Sequence, residues 1–242
     1  MRAPSAGELL QVWEAGFAQA WTERALALLA VAWPEATWDT LAKLSIGQRD
    51  ARLLELRERL WGPRMSGVVT CPVCRERLEL IAETHAMLAN AQSPQVREST
   101  VSAVGYNVTF RLPTSADLVV TAEAVTGGGS AILERCILSV EKDGVAVDSD
   151  NLPFEVGQAV ATSMAQADPL AEIQLSLTCP SCRHHWRAMF DIVSFLWTEI
   201  ETWAWRILSD VHTLARAYGW CERDILALSP TRRQFYLDRV GA

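Results

Sequence analysis

The sequence predicts an α+β fold that is mostly helical: a split four-cysteine zinc ribbon made of two β-hairpin knuckles, with an inserted α/β segment between them and helical bundles on either side. Three observations predict it. Cys71-Pro72-Val73-Cys74 and Cys179-Pro180-Ser181-Cys182 are near copies of each other. Each stands between arms of apolar and polar residues in alternation, the period of a half-buried strand. The arms are Val68 and Val69, then Leu78, Leu80 and Ile81, around the first pair, and Ile173, Leu175 and Leu177, then Trp186, Ala188 and Phe190, around the second. Outside these frames the apolar residues recur at helical spacing behind helix caps.

Two thiols on one tight turn supply half of a tetrahedral metal site, and a second such turn supplies the other half. Cys71, Cys74, Cys179 and Cys182 are therefore the candidate ligands of one structural zinc ion. A domain's length of chain separates the pairs, whereas an ordinary zinc ribbon leaves roughly 12 to 20 residues; hence the reading of a ribbon split by an insertion. Competing readings of Cys-x-x-Cys stay open. A thioredoxin-like redox pair sits at a helix N-terminus rather than between alternating arms. Disulfides belong with a secretory signal, and none is read here. Iron takes the same four-thiolate geometry, but such sites carry Gly after the second Cys, where Arg75 and Arg183 stand. The alternative function is thus a metal-dependent redox or electron-transfer protein. His184 and His185 follow the second pair directly, but four cysteines already fill a tetrahedron, so both are read as neighbours of the site.

In chain order, residues 1–64 form an N-terminal helical region. Ser5 and Glu8 make a capping box ahead of Leu10, Trp13, Phe17 and Trp21. A second helix covers residues 22–32, a short one residues 38–44, and Ser45 with Gln48 caps a helix over residues 47–61. That helix puts Leu53, Leu56 and Leu60 on one face, sets Arg57 off it, and stops at Gly62-Pro63. Residues 65–90 are the first zinc hairpin. Residues 91–170 are the inserted hairpin-plus-helices segment: a polar linker, a hairpin over 101–112 turning near Gly105, and a helix capped by Thr114 with Asp117. A hinge follows at Gly127-Gly128-Gly129, then an apolar helix over 131–140 holding Cys136, and a helix over 154–166 ended by Asp168-Pro169. His85 is read as an ordinary side chain, not a ligand. Residues 171–192 are the second zinc hairpin. Residues 193–242 are C-terminal helices, the first spanning 191–209 with Trp197 and Trp205 off its apolar stripe as contact candidates.

Composition narrows the function. Half of the residues are hydrophobic and ten are Trp, enough for a real core and for interface anchors. The net charge is −7 and no basic face is visible, so nucleic acid is not an expected partner. The longest apolar run, residues 25–33, is too short to cross a bilayer, and Glu8 and Glu14 interrupt any signal-peptide core, so a cytoplasmic protein is expected. No Gly-x-Ser-x-Gly, His-Glu-x-x-His or dinucleotide fingerprint occurs, and four thiolates leave no open metal position for a catalytic water. No enzyme is expected, and no small-molecule substrate.

Several stretches together resemble a known family. They are Ser5-Ala6-Gly7-Glu8-Leu9-Leu10, then Leu44-Ser45-Ile46-Gly47-Gln48-Arg49-Asp50 with Leu53-Leu54-Glu55-Leu56-Arg57, then Gly62-Pro63-Arg64 and the cysteines. Leu112-Pro113-Thr114-Ser115-Ala116-Asp117-Leu118, Tyr218-Gly219-Trp220 and Ile225-Leu226-Ala227-Leu228-Ser229 complete the set. The chain is similar to the T-even-phage-type baseplate hub assembly family found in contractile injection system gene clusters. The resemblance implies a structural baseplate component or assembly chaperone of a phage-tail-like particle, either retained in the particle or released from it, with baseplate or hub and spike proteins as partners. Only the four cysteines carry a role over, as metal ligands; Asp50 and the 112–118 segment carry none.

Overall fold

The computed structural model describes residues 1–89, 98–123, 128–149 and 152–240. It is an α+β structure, 55% helical, with small antiparallel sheets, as the mostly helical reading requires. The chain divides into two compact units, residues 1–36 with 192–242, and residues 37–191. Among the described residues no helix is long and apolar enough to cross a membrane.

The unit of the chain ends is helical. Helix α1 (Ala6–Gly16) starts at the predicted Ser5/Glu8 capping box and α2 is Trp21–Ala32. The first helix is shorter than its apolar spacing suggested: Trp13 is buried, but Phe17 and Trp21 lie beyond it and are exposed. Of the described tryptophans only Trp13 and Trp197 are buried, while Trp21, Trp38 and Trp205 are exposed. The Trp197 ring lies where a Cβ on Gly16 would stand 2.0 Å from it, so only glycine allows the approach. Arg24 stacks its guanidinium 4.5 Å from the Trp21 ring and 4.6 Å from that of Trp197. The long helix of this unit (Ile192–Tyr218) outruns the predicted end at residue 209, because Val211 and Leu214 continue the buried stripe. Trp197 is buried, against the contact reading, whereas Trp205 is exposed as expected. Gly219 takes φ 68° to end this helix. Two further helices, Glu222–Leu226 and Pro230–Val240, pack Ile225, Tyr236 and Leu237 against it.

The other unit carries the hairpins. Helix α3 is Trp38–Ala42, and α4 (Ile46–Trp61) begins at the Ser45/Gln48 capping box. Leu53, Leu54 and Leu56 are buried on α4, and so is Arg57, which had been expected off the apolar face. Its guanidinium donates to the Gly62 carbonyl at 2.6 Å, so the charge caps the helix end instead of facing solvent. Strands β1 (Arg64–Thr70) and β2 (Arg77–Glu83) form the first hairpin, and the short helix α5 (Thr84–Leu88) follows. Strands β3 (Glu98–Ala103) and β4 (Tyr106–Arg111) form the inserted hairpin, with Gly105 at φ 78° in its turn.

Helix α6 (Ser115–Glu123) begins where Asp117 accepts from the Thr114 N–H and hydroxyl, at 2.9 and 2.8 Å. Residues 91–97 of the linker and Gly127 lie outside the described residues, while Gly128 and Gly129 stand in the first turn of helix α7 (Gly128–Cys136) rather than in a hinge. The apolar helix read over 131–140 is half right. It ends at Cys136, and the chain turns into β5 (Ile137–Lys142), which pairs with β4 and with the two-residue β6 (Val145–Ala146). The open edge of β4 decides this: Ile137 and Val140, three apart, keep helical spacing, and only a β-bulge opposite Thr109 and Phe110 sets them beside Phe110 and Val108 of the core. The resulting sheet, in order β3-β4-β5-β6, packs Val108, Phe110 and Val140 against Val156, Val160 and Met164 of α8 (Phe154–Ala167). A 3₁₀ turn (Pro169–Ala171) then leads into β7 (Ile173–Thr178) and β8 (His185–Phe190).

Both hairpins are tied to α4. The first leaves its C-terminal end, and Thr84, at the far end of β2, donates its hydroxyl to Glu58 of α4 and its N–H to Pro63. The second is tied at the other end: buried Asp168, five residues ahead of β7, accepts from the Gly47 N–H at 2.9 Å, a carboxylate on a helix N-terminus. The two family-like stretches around Ser45 and Thr114 also meet, bridging Ser45 to Thr114, with the Ile46 N–H donating to Pro113.

Two predictions follow from α4. A Cβ on Gly47 would stand 2.0 Å from Asp168 Oδ1 and 2.9 Å from the Ala171 nitrogen. Gly47→Ala is expected to cost about 1–3 kcal/mol in urea unfolding, the usual range for forced overpacking. Asp50 is buried; burial pushes its carboxyl up to about 6 against the opposing charge of Arg49, whose Nε donates to it at 2.7 Å, with Asp191 and Asp168 adding to the rise. A carboxyl raised on folding stabilises fully below its unfolded value and loses that contribution as pH climbs through the folded value. The stability of the protein relative to Asp50→Asn should therefore fall by about 2 kcal/mol between pH 4 and 6, read from paired urea melts.

Candidate metal centre

The knuckles are built alike. In the first, the Arg75 N–H donates back to the Cys71 carbonyl at 3.1 Å and the Cys71 N–H donates to Glu76 at 2.9 Å; in the second, Arg183 to Cys179 and Cys179 to His184 are both 2.9 Å. Closing such a turn puts the residue after the second cysteine in the left-handed region. Arg75 (φ 64°) and Arg183 (φ 58°) occupy it, at a cost of roughly 1–2 kcal/mol each for a side chain bearing a Cβ. The glycine expected of an iron-type knuckle is thus replaced by arginine in the same backbone shape.

The turns aim the sulfurs inward. The Sγ atoms of Cys71, Cys74, Cys179 and Cys182 all lie within 4.8 Å of one another. Cys71 to Cys182 is 3.7 Å and Cys74 to Cys179 is 3.5 Å. A tetrahedron with metal–sulfur bonds of about 2.3 Å has sulfur–sulfur edges of roughly 3.8 Å, so the four cysteines could bind one metal ion with little rearrangement. Both short contacts join one knuckle to the other. They are far longer than the roughly 2.05 Å of a disulfide, and all four thiols are free.

Cys71 and Cys179 are buried, whereas Cys74 and Cys182 are exposed. The backbone sorts the thiols further. The Cys182 N–H, and then that of Ser181, draws Cys179 down to about 7 against its own burial. Burial raises Cys71, but the N–H groups of Cys74 and Val73 outweigh it and the net shift is downward. The Glu76 N–H favours the thiolate of Cys74, yet burial and the crowding thiols prevail and hold it up at about 12. A cation at the centre reverses that last balance, so metal uptake and proton release are coupled.

The neighbouring histidines are not in the cluster. His184 stacks on Trp186 with ring centroids 6.0 Å apart, and His185 Nδ1 bonds the Thr178 hydroxyl at 2.8 Å. His85 is exposed and pairs with Glu83. Two supporting groups had no signal in the sequence. Asp168 read only as a helix end, and Thr84 as nothing, although they fix where each knuckle points. A second polar cluster centres on Asp117: Arg111 grips its carboxylate at 2.7 and 2.8 Å and holds it well below the usual range against its burial, and Arg135 stands 3.4 Å from it.

A family model described as T4 bacteriophage base plate protein matches residues 35–197, more than half of the chain and all four cysteines. No curated protein and no solved structure matches.

Substituting Cys74 or Cys182 by Ser should drop bound metal from about one ion per chain to well below that, with a lowered melting temperature, because metal binding and folding of such a site are one process. His184→Ala and His185→Ala should keep the metal. Elemental analysis of the purified variants, with circular-dichroism melts, reads both outcomes.

Proposed function

The chain belongs to the T4 bacteriophage base plate protein family, and on that premise we propose that it is a non-enzymatic, zinc-stabilised component or hub assembly chaperone of the baseplate of a phage-tail-like contractile particle. The observation that carries the reading is the family match over the region that holds both hairpins and all four cysteines. Zinc suits the donor set: four thiolates favour a tetrahedral d¹⁰ ion with no redox chemistry, and a closed shell leaves no position for a substrate. Its role is to join two chain segments that the fold brings together from far apart in sequence. The partners are other baseplate proteins, with hub and spike proteins foremost.

The test is genetic. Deleting the gene from cells that make such particles should leave particles absent or lacking baseplates in electron micrographs, and a wild-type copy should restore them. A Cys74→Ser, Cys182→Ser copy should restore them poorly. Normal particles in the deletion strain would overturn the assignment, and full rescue by the double variant would overturn the part given to zinc.

A further inference from the structure

The two hairpins leave a groove of about 840 Å³ at their bases, bounded by residues 81–83 of β2 on one side and 172–175 at the start of β7 on the other. Met87 and Leu170, both buried, also line it. Successive side chains of a strand point to opposite faces, so a wall made of consecutive residues is the edge of the strand and not a face.

Hydrogen-bond alternation identifies the backbone groups on those edges. The Cys71 N–H donates to Glu76 and the Thr84 N–H to Pro63, at the two ends of the first hairpin. With the register between them, Met65–Ala82, Gly67–Leu80 and Val69–Leu78 are the bonded pairs, and the N–H and C=O of Ile81 and the N–H of Glu83 point away from β1, the Glu83 C=O serving the first turn of α5. The Cys179 N–H to His184 bond fixes the second hairpin likewise and turns the backbone of Gln174 away from β8. Among the described residues β2 pairs only with β1 and β7 only with β8, so both edges are open.

The spacing suits one more strand. The ties to α4 at Gly47 and Glu58 lie roughly 16 Å apart along the helix at 1.5 Å per residue, while the tips meet at sulfur contact. A wedge of that kind passes through the width of about 10 Å that a single strand between two edges requires.

We propose that this groove takes an extended, basic-flanked peptide segment of a partner protein, which adds as a strand between β2 and β7. Ala82, Met87, Leu170 and Ile173 offer apolar contacts to alternate side chains. Glu83 and Glu172 favour Lys or Arg at the flanks; their present partners are the exposed His85 and the Gln174 amide. A second copy of this chain is the poorer occupant, since it has a net charge of −7 and would bring the same carboxylates. The proposal does not depend on the particle assignment; it depends on the hairpins being joined at their tips.

The test uses the full chain with zinc added and a fluorescein-labelled peptide of alternating Val and Thr with Lys at both ends. Binding should raise anisotropy and slow amide exchange at Ile81, Glu83 and Gln174. A Glu-ended peptide, and a Lys-ended one N-methylated at alternate amides, should each bind about tenfold or more weakly, the equivalent of one or two lost hydrogen bonds. Ile81→Pro removes an edge N–H without touching a β1–β2 bond, so it should weaken binding similarly while metal content stays unchanged. Equal binding of the N-methylated peptide, no protection at those three amides, or no binding of the Lys-ended peptide would overturn the proposal. So would undiminished binding after chelation, or self-association that protects the same amides without peptide.

Discussion

The structure of the cysteine-bearing unit depends on one constraint: two hairpins tied to the two ends of a single helix must meet at their tips. Helix α4 sets the distance between the ties, and the arms of each hairpin set the reach. Neither hairpin has enough apolar surface to stand alone, because a two-stranded ribbon is marginal in water. On the inner arms Leu78, Leu80, Leu175 and Leu177 are only half-buried. An ion held by all four thiolates would supply what the ribbons lack, at the point where four thiols otherwise crowd one another. Burial and that crowding together hold Cys74 up at about 12 against the Glu76 N–H.

The ties at the base are as specific as the tips. Asp168 brings a buried carboxylate to the N-terminus of α4, where the dipole and a free N–H receive it, and Gly47 gives it room. Thr84 does the equivalent work at the other end through Glu58. The inserted segment between the hairpins has its own core around Phe110 and Val160. It packs within the same unit as the hairpins and is joined to the start of α4 where Ser45 pairs with Thr114.

Much of this was legible in the sequence, and the failures have physical causes. The hairpins and the capping boxes at Ser5 and Ser45 were readable because period two and a Ser with Glu or Gln at N3 are local signals. β5 was misread because Ile132, Cys136, Ile137 and Val140 fit a helical stripe, and only the open edge of β4, a tertiary feature, decides for a strand. Trp197 was read as a contact because nothing local reveals the bare surface that Gly16 presents to its ring. Arg57 was placed off the buried face by its charge, although its buried stem and its bond to the Gly62 carbonyl make it a core residue with a polar tip. At the site, four ligands of one residue type in matched frames were visible at once. Asp168 and Thr84 were not, since a single buried polar residue has no sequence signature until its partner is known.

The family match supports a division of labour between the two units. It runs from residue 35 to residue 197 and so coincides with the unit of residues 37–191, leaving out most of the helical unit formed by the chain ends. The stretch that the family model matches therefore holds the helix that carries both hairpins and the segment between them, and leaves out most of the flanking helices. A clamp closed by thiolates would be rigid without being large, which suits the strand addition proposed for the groove between the hairpins. Its rigidity is also conditional. Without a bound ion the four thiols would lose their common partner, so loss of metal should act first on what the hairpins hold and, because binding and folding of such a site are linked, also on the stability of the unit that carries them.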